Sequence, residues 1–139
     1  MPARDLFHQA VANALLKDGW EITDDPLRLI YGGRNLYVDL GAEQPLAAQK
    51  NNRKIAVEIK SFISESDIYD LQLSIGQYQM YRDILQESEP DRDLYLAVPS
   101  RAFDTVFQEP IGRLMIEKRD LYLIVFNGSE EEIVQWIPH

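Results

Sequence analysis

Two short and almost entirely apolar segments constrain the fold of this chain most strongly. They are residues 94–98 (LYLAV) and 121–126 (LYLIVF), and both have the composition of strands covered on each face of a sheet. Residues 54–62 (KIAVEIKSF) add an alternating strand, and residues 4–17 have apolar side chains at helical spacing. A longer helix is predicted from a capping box of Ser64 and Asp67 to about residue 86. These elements predict an α/β fold with a central mixed β-sheet flanked by helices.

The remaining elements are shorter and complete a single domain over residues 1–139. Residues 27–31 and 36–40 are predicted to be strands joined by the turn Gly32-Gly33-Arg34-Asn35, and residues 20–22 to be extended. Residues 41–53 are predicted to be a loop. Short helices are expected over 100–107 and 110–117, and a final edge strand over 133–137.

The composition excludes several classes of protein. The 139 residues include no cysteine and two histidines, which excludes disulfide scaffolds, thiolate zinc sites and cysteine nucleophiles and disfavours a multi-histidine zinc site. The apolar runs are too short to span a membrane, and the first ten residues, MPARDLFHQA, contain no signal-peptide core. We therefore expect a soluble, cytoplasmic protein.

The charge is acidic overall but unevenly distributed. Fourteen Lys and Arg against 23 Asp and Glu give a net charge of −9, which repels nucleic-acid phosphates at long range. Residues 28–60 nevertheless contain six basic and three acidic residues, a local charge of +3 that leaves −12 for the rest. This pattern fits either a basic working surface on an acidic body or acidic loops that only keep the protein soluble. The six basic residues are Arg28, Arg34, Lys50, Arg53, Lys54 and Lys60.

Asp39 and the sequence Glu58-Ile59-Lys60 form the most informative group of polar residues. Side chains alternate between the two faces of a strand, so Glu58 and Lys60 are expected on one face, and Asp39 shares a face with Tyr37 on the preceding strand. If the two strands are neighbours, the two carboxylates and the lysine converge at one end of the sheet. The apolar residues expected on the opposite faces are Leu36, Val38, Leu40, Ile55, Val57 and Ile59.

Two neighbouring carboxylates repel each other unless a cation lies between them. Oxygen ligands without sulfur favour Mg²⁺ or Mn²⁺, and a nearby lysine can orient water and stabilise charge on a phosphate. The group therefore suits metal-assisted phosphodiester hydrolysis. The alternatives are an ion pair on a solvated strand face and a purely structural cluster of charges.

The order Asp39…Glu58-Ile59-Lys60 on consecutive strands after an N-terminal helix resembles the PD-(D/E)xK nuclease superfamily, with its restriction-endonuclease-like fold. Val38 stands where that superfamily often has a proline. The resemblance implies that Asp39 and Glu58 hold the metal, with the backbone carbonyl of Ile59 as a further ligand. It also implies that Lys60 assists the attacking water.

Gln77 and Tyr81 are four residues apart on the long helix, so they share a helical face. They match the Gln-x-x-x-Tyr signature of the RecB-like and lambda-exonuclease-like branch, which implies that Gln77 positions substrate or lysine and that Tyr81 supports the site. The same branch often supplies a metal-binding histidine from its first helix, a role that His8 would take. The alternatives are a tyrosine at the core edge, a solvated glutamine and a histidine at the surface or at the core edge. His139 is terminal and is expected to be inert.

Most of the chain is similar to the XisH family, the excision controlling factors of the fdxN element. The resemblance lies in ARDLFHQAVANALLKDGWEIT, KIAVEIKSF and GQYQMYRDIL. It implies a role in programmed DNA excision, with DNA, a small partner protein of the XisI kind and a site-specific recombinase as partners, and oligomers are compatible with it.

Two hypotheses on function follow. The first is a Mg²⁺- or Mn²⁺-dependent nuclease. The second is an accessory factor without catalytic activity, in which the nuclease fold binds DNA or a partner protein. The net charge of −9 favours the second, and the complete set of Asp39, Glu58 and Lys60 favours the first.

Overall fold

The computed structural model describes residues 5–45 and 53–138. Within these residues the elements follow the order predicted, with the extended segment expected at 20–22 forming β1 and one additional strand, β4, after the predicted hairpin. They are α1 (His8–Lys17), β1 (Glu21–Asp24), β2 (Leu27–Tyr31), β3 (Arg34–Val38), β4 (Leu40–Gln44), β5 (Arg53–Ile59), α2 (Asp67–Ser88), β6 (Arg92–Pro99), α3 (Ser100–Asp104), a 3₁₀ turn (Val106–Gln108), α4 (Pro110–Lys118), β7 (Leu123–Asn127) and β8 (Glu132–Ile137).

Six of these strands form one mixed sheet in the order β1-β4-β5-β6-β7-β8. The central pairs β5–β6 and β6–β7 are parallel, and the outer pairs are antiparallel. The predicted α/β fold with a central mixed sheet flanked by helices is therefore confirmed. Among the described residues, no helix combines the length and the hydrophobicity needed to cross a membrane.

Alternating side chains of the central strands fill a core on each face of the sheet. Ile55, Val57 and Ile59 of β5 pack with α1, whereas Ala56 of the same strand packs with α2. We call these the α1 face and the α2 face. The periodicity of two in residues 54–62 thus correctly predicts which side of β5 each residue occupies. Glu58, one position from Ile59, is directed to the α2 face.

Strands β2 and β3 form a separate two-stranded sheet, the β2–β3 hairpin. Its turn consists of Gly32 and Gly33, with φ angles of +56° and +77°. Positive φ at both central residues is required by the tight turn whose twist matches that of the strands, and glycine adopts it without steric cost. The predicted hairpin is confirmed.

The prediction of one strand over 36–40 followed by a loop over 41–53 is wrong in part. The chain bends at Asp39, and Leu40–Gln44 forms β4, which pairs with β5. Because of the bend, Val38 packs on the α2 face and Leu40 on the α1 face, so they do not share a face as expected for a continuous strand. The part of the predicted loop at residues 46–52, which includes Lys50, lies outside the described residues.

The cap of helix α2 lies two residues later than predicted. Ser66, rather than Ser64, caps the helix, since its hydroxyl accepts a hydrogen bond of 3.1 Å from the Tyr69 N–H. Ile68, in the first turn of the helix, is exposed. The buried face of the helix is formed by Leu71, Ser74, Tyr78, Tyr81, Ile84 and Leu85.

The buried hydroxyl of Tyr78 links α2 to the sheet through two hydrogen bonds. The hydroxyl donates to the Leu94 carbonyl at 3.2 Å and accepts from the Tyr122 N–H at 3.1 Å. It thus joins β6 to the segment that leads into β7. The face of α2 that carries Gln77 and Tyr81 is thereby fixed against the carboxyl end of β5.

Candidate functional site

A cavity of about 430 Å³ lies at the carboxyl end of β5. It is bounded by the start of α1, the β2–β3 hairpin, the bend at Asp39 and the middle of α2. The sequence-predicted site residues that line it are His8, Asp39, Glu58, Ile59, Lys60, Gln77 and Tyr81. The fold therefore brings all seven to one place, although they come from four separate parts of the chain.

Asp39 and Glu58 are held together by hydrogen bonds from backbone amides to their carboxylates. The Asp39 N–H donates to Glu58 Oε1 at 3.3 Å, and the Ile59 N–H donates to Asp39 Oδ2 at 2.7 Å. The second bond uses a charged acceptor, which makes it one of the stronger hydrogen bonds available to a backbone amide. The two carboxylates are thus fixed side by side at the point where β4 leaves the hairpin and joins β5.

Lys60 lies next to this pair. Its Nζ is 3.5 Å from Glu58 Oε2, and the Lys60 and Glu58 side chains are 21% and 7% exposed. The Lys60 N–H donates to the Ala97 carbonyl at 3.0 Å, which continues the ladder with β6 by one residue. The lysine is therefore held by the sheet while its ammonium group reaches the cavity.

The electrostatics of the cavity are dominated by Glu58. Burial, and then the neighbouring charge of Asp39, raise the pKa of Glu58 to about 8, while Lys60 acts in the opposite direction. Like charges held close together in a poorly solvated place favour the protonated form of one of them. Without a further cation, this site therefore carries less negative charge at neutral pH than its two carboxylates imply.

Helix α2 contributes Gln77 and Tyr81 on the face predicted from their spacing. Burial, followed by the charges of Glu58 and Asp39, raises the pKa of Tyr81 to about 12, so its hydroxyl remains protonated. The Gln77 Oε1 atom is buried and has no hydrogen-bond partner among the described residues. A buried acceptor without a partner costs free energy, and here it lines the cavity, where substrate or water can supply a donor.

His8 is buried at the start of α1, and its Nε2 lies 2.8 Å from Asp25 Oδ1. Its Nδ1 is buried without a partner in the described part of the chain. The alternative that His8 lies on the surface is therefore wrong, whereas the alternative of a residue at the edge of the core fits its burial. A role as metal ligand stays a prediction, and the ring nitrogen Nε2 is already engaged by Asp25.

The sequence reasoning missed two acidic residues of the cavity, Asp5 and Asp25. Asp5 Oδ2 accepts from the Ser61 N–H at 3.1 Å, which ties the start of α1 to the segment after Lys60. Asp25 directly precedes Pro26 in the sequence, and no role was predicted for it. A histidine on a helix near an Asp-Asp-Pro turn was the available signal, but nothing local indicates that the two side chains meet.

The donor set fits a small, hard cation. Within residues 5–45 and 53–138, no group of three or more His, Cys, Asp and Glu side chains is arranged to hold a metal ion. Mg²⁺, however, commonly binds proteins through one or two carboxylates and keeps several of its waters. The two carboxylates of Asp39 and Glu58, together with the carbonyl of Ile59 and the unpartnered Gln77 Oε1, are oxygen ligands of the required kind.

The basic residues of 28–60 do not form the single surface that their clustering in the sequence allows. Lys60 lines the cavity, whereas Arg28 and Arg34 lie on the hairpin but are not among the residues that line it. Arg53 is at the other end of β5, where its guanidinium packs against Trp20 and donates to the Tyr95 hydroxyl at 2.6 Å. A strand separates its two ends by about 3.3 Å per residue, so these charges act at different places.

The sequence model of the XisH protein family matches residues 1–134. The chain belongs to the XisH family. No match was found among the curated proteins searched.

Solved structures agree with this membership of the XisH family. The chain is similar to the crystal structure of an XisH family protein from Nostoc punctiforme PCC 73102, with a TM-score of 0.87 and 41% identity over 96% of this chain and 99% of that one. It is similar to an fdxN element excision controlling factor protein from Anabaena variabilis, with a TM-score of 0.86 and 42% identity over the same shares of the two chains. The resemblance seen in the sequence is therefore confirmed at the level of the XisH family.

Proposed function

We propose that this XisH family protein is a Mg²⁺- or Mn²⁺-dependent nuclease of the PD-(D/E)xK kind that acts in the programmed excision of a DNA element. The role in excision follows from the similarity to an fdxN element excision controlling factor. The chemistry follows from the cavity. The observation that supports it best is that Asp39, Glu58 and Lys60 lie together there with Gln77 and Tyr81.

Each residue has a distinct part in this proposal. Asp39 and Glu58 hold the cation, with the Ile59 carbonyl as a further ligand and His8 as a candidate for another. When bound, the cation supplies an activated water and stabilises the charge that develops on the phosphate. The Lys60 ammonium orients the attacking water and donates to the phosphate oxygens. Gln77 positions the substrate or Lys60, and Tyr81 covers the site with a hydroxyl that stays protonated.

A bound cation would also reduce the repulsion between the Glu58 and Asp39 carboxylates. Glu58 and Asp39 repel each other when both are ionised, and Lys60 opposes this only in part. A divalent cation between them stabilises both charged forms. Metal binding to this pair is therefore expected to release a proton at neutral pH.

The test is cleavage of labelled DNA by the purified full chain with Mg²⁺, Mn²⁺ or EDTA, offered as single strand, duplex and branched junction. We expect cleavage with a divalent cation that Glu58→Gln and Lys60→Ala abolish. Glu117→Gln and Lys118→Ala, which change the same charges on the exposed surface of α4, serve as matched controls and retain activity. Absence of cleavage under every divalent cation, alone and with a partner protein of the XisI kind, refutes the nuclease.

The second candidate is an accessory factor that binds DNA or a partner protein, such as a protein of the XisI kind or a site-specific recombinase, without cutting. Two observations favour it. The net charge is −9, which is unusual for a protein that binds DNA unaided. Each of the two carboxylates also accepts a hydrogen bond from a backbone amide, so the protein itself supplies each with one donor.

Excision of the DNA element in cells separates the two candidates. A nuclease requires the Lys60 ammonium, so Lys60→Ala abolishes excision while the protein remains folded and abundant. An accessory factor retains excision in Lys60→Ala and loses it only when its binding surface is changed.

A further inference from the structure

The β2–β3 hairpin stands apart from the six-stranded sheet and borders the cavity. It is hydrogen-bonded only within itself as a sheet, and Asn35, Leu36 and Tyr37 of β3 line the cavity. Its last residue, Val38, directly precedes Asp39. A molecule that reaches the carboxylates from this side therefore passes over the hairpin.

One side of the hairpin is fixed and the other is open. Leu27, Leu29 and Val38 are buried in the core of the α2 face. The residues between them point outward, because side chains alternate along each strand. Ile30 and Tyr37 are 58% and 40% exposed. The open side thus presents apolar and aromatic surface beside the cavity. The buried side packs the hairpin against the core of the α2 face.

The hairpin is also the locally basic part of an acidic protein. Residues 27–38 contain two arginines, Arg28 and Arg34, and no Asp or Glu, so they carry +2 and the rest of the chain −11. Both arginines are exposed. Arg28 pairs with Tyr37 on the open side, whereas Arg34 lies beside the turn, in register with Leu36 and Val38 of the other side. Arg28 Nε donates to Asn35 Oδ1 at 2.9 Å across the hairpin. This surface is complementary in charge to phosphate, whereas its acidic surroundings are not.

We propose that the open side of the β2–β3 hairpin binds unpaired nucleotides of a DNA strand and leads them to the cavity. Arg28 on the open side and Arg34 beside the turn contact phosphates, and Tyr37 stacks on a base. The inference rests on the proposed function and specifies its substrate as single-stranded DNA, or an unpaired stretch within a branched DNA.

Two features favour a single strand over a duplex. Exposed aromatic rings bind bases only when these are unstacked, and Tyr37 offers its ring at the mouth of the cavity. A duplex is wider and carries phosphates on two strands. Some of these phosphates would therefore lie near the acidic surface outside the hairpin, which repels them. A single strand can follow the narrow basic path alone.

The experiment measures binding by fluorescence anisotropy in the Glu58→Gln background, which prevents cleavage and removes one negative charge. The probes are a labelled 30-nucleotide single strand of mixed sequence and the same strand as a duplex. We expect tighter binding of the single strand. Arg28→Ala with Arg34→Ala should weaken it about tenfold or more, and the slope of log K against log salt should fall by about 1.4, the value for two phosphate contacts on a single strand.

Tyr37→Leu tests stacking separately from charge. It should weaken single-strand binding about fivefold or more with no change in the salt slope. The matched control for the arginines is Arg113→Ala with Lys118→Ala, an equal loss of charge on α4, none of whose residues lines the cavity. This control should bind within about twofold of the parent.

The outcomes separate the inference from the proposed function. Equal affinity for duplex and single strand, or hairpin variants that bind as well as the α4 control, overturns the inference, whether or not the enzyme cleaves DNA. Loss of binding in the hairpin variants supports the inference even if no cation elicits cleavage. In that case the nuclease proposal alone fails.

Discussion

Replacing Glu58 with Gln should stabilise the metal-free protein at neutral pH. The pKa of Glu58 is raised from 4.5 to about 8, first by burial and then by Asp39. Below pH 4.5 the carboxyl is protonated in both the unfolded and the folded chain, so it costs nothing. As the pH rises from 4.5 through 8, ionisation favours the unfolded chain, and the free energy of unfolding falls.

The magnitude follows from the same two values. With a pKa of 4.5 unfolded and about 8 folded, the free energy of unfolding is lowered by about 3 kcal/mol at pH 7 and by less than about 1 kcal/mol at pH 5. Glutamine is neutral in both states and retains an oxygen that can accept from the Asp39 N–H. Glu58→Gln should therefore gain about 2–3 kcal/mol at pH 7, which raises Tm by about 5–10 °C in a domain of this size.

The assay is urea denaturation in EDTA at pH 5, 6, 7 and 8, followed by circular dichroism. The control is Glu132→Gln, an exposed residue on β8, whose effect should stay within about 0.5 kcal/mol at every pH. The reasoning is refuted if Glu58→Gln is no more stable than wild type at pH 7, or if its advantage does not shrink towards pH 5.

Three further predictions concern the metal and the core. Mn²⁺ should raise the Tm of the wild type in differential scanning fluorimetry and leave that of Asp39→Asn unchanged, because metal that binds only the folded state stabilises it; an equal rise in both proteins contradicts the proposed ligand. Tyr78→Phe leaves one buried amide and one carbonyl without their hydrogen bonds, so it should cost about 1–3 kcal/mol in chemical denaturation, and a neutral result would mean that water replaces the hydroxyl. Gly112→Ala would place a Cβ 2.1 Å from the Val106 carbonyl oxygen and should cost at least about 3 kcal/mol, whereas Gly76→Ala, where the Cβ meets nothing within 4 Å, should stabilise α2 by up to about 1 kcal/mol; equal effects at the two glycines would contradict the packing.

Local periodicity was sufficient to predict one half of the site. The alternation in residues 54–62 places Glu58 opposite Val57 and Ile59, because neighbouring side chains of a strand must point to opposite faces. The spacing of four puts Gln77 and Tyr81 on one side of α2 for an equally local reason. Neither inference requires knowledge of what the strand or the helix packs against.

The strand prediction is wrong at Asp39, where the chain leaves the two-stranded sheet and joins the six-stranded one. A pattern of alternating residues at 36–40 indicates a strand but does not reveal that the strand breaks at Asp39 and continues as β4 in another sheet. The break is what turns the Asp39 N–H towards Glu58 and its carboxylate towards the Ile59 N–H. Pairing between strands is decided by the whole fold, and a single bend reverses the faces of the residues on either side of it.

What the sequence determined by itself was the identity of the chemical groups and the face of each element that carries them. The tertiary structure decided which faces meet, including the pairing of His8 with Asp25 seventeen residues away and the position of the β2–β3 hairpin beside the cavity. The physical reason is that the two kinds of information act over different distances along the chain. Side-chain direction is fixed by the backbone within a few residues, whereas contact between distant segments depends on burial of apolar surface shared by the whole chain.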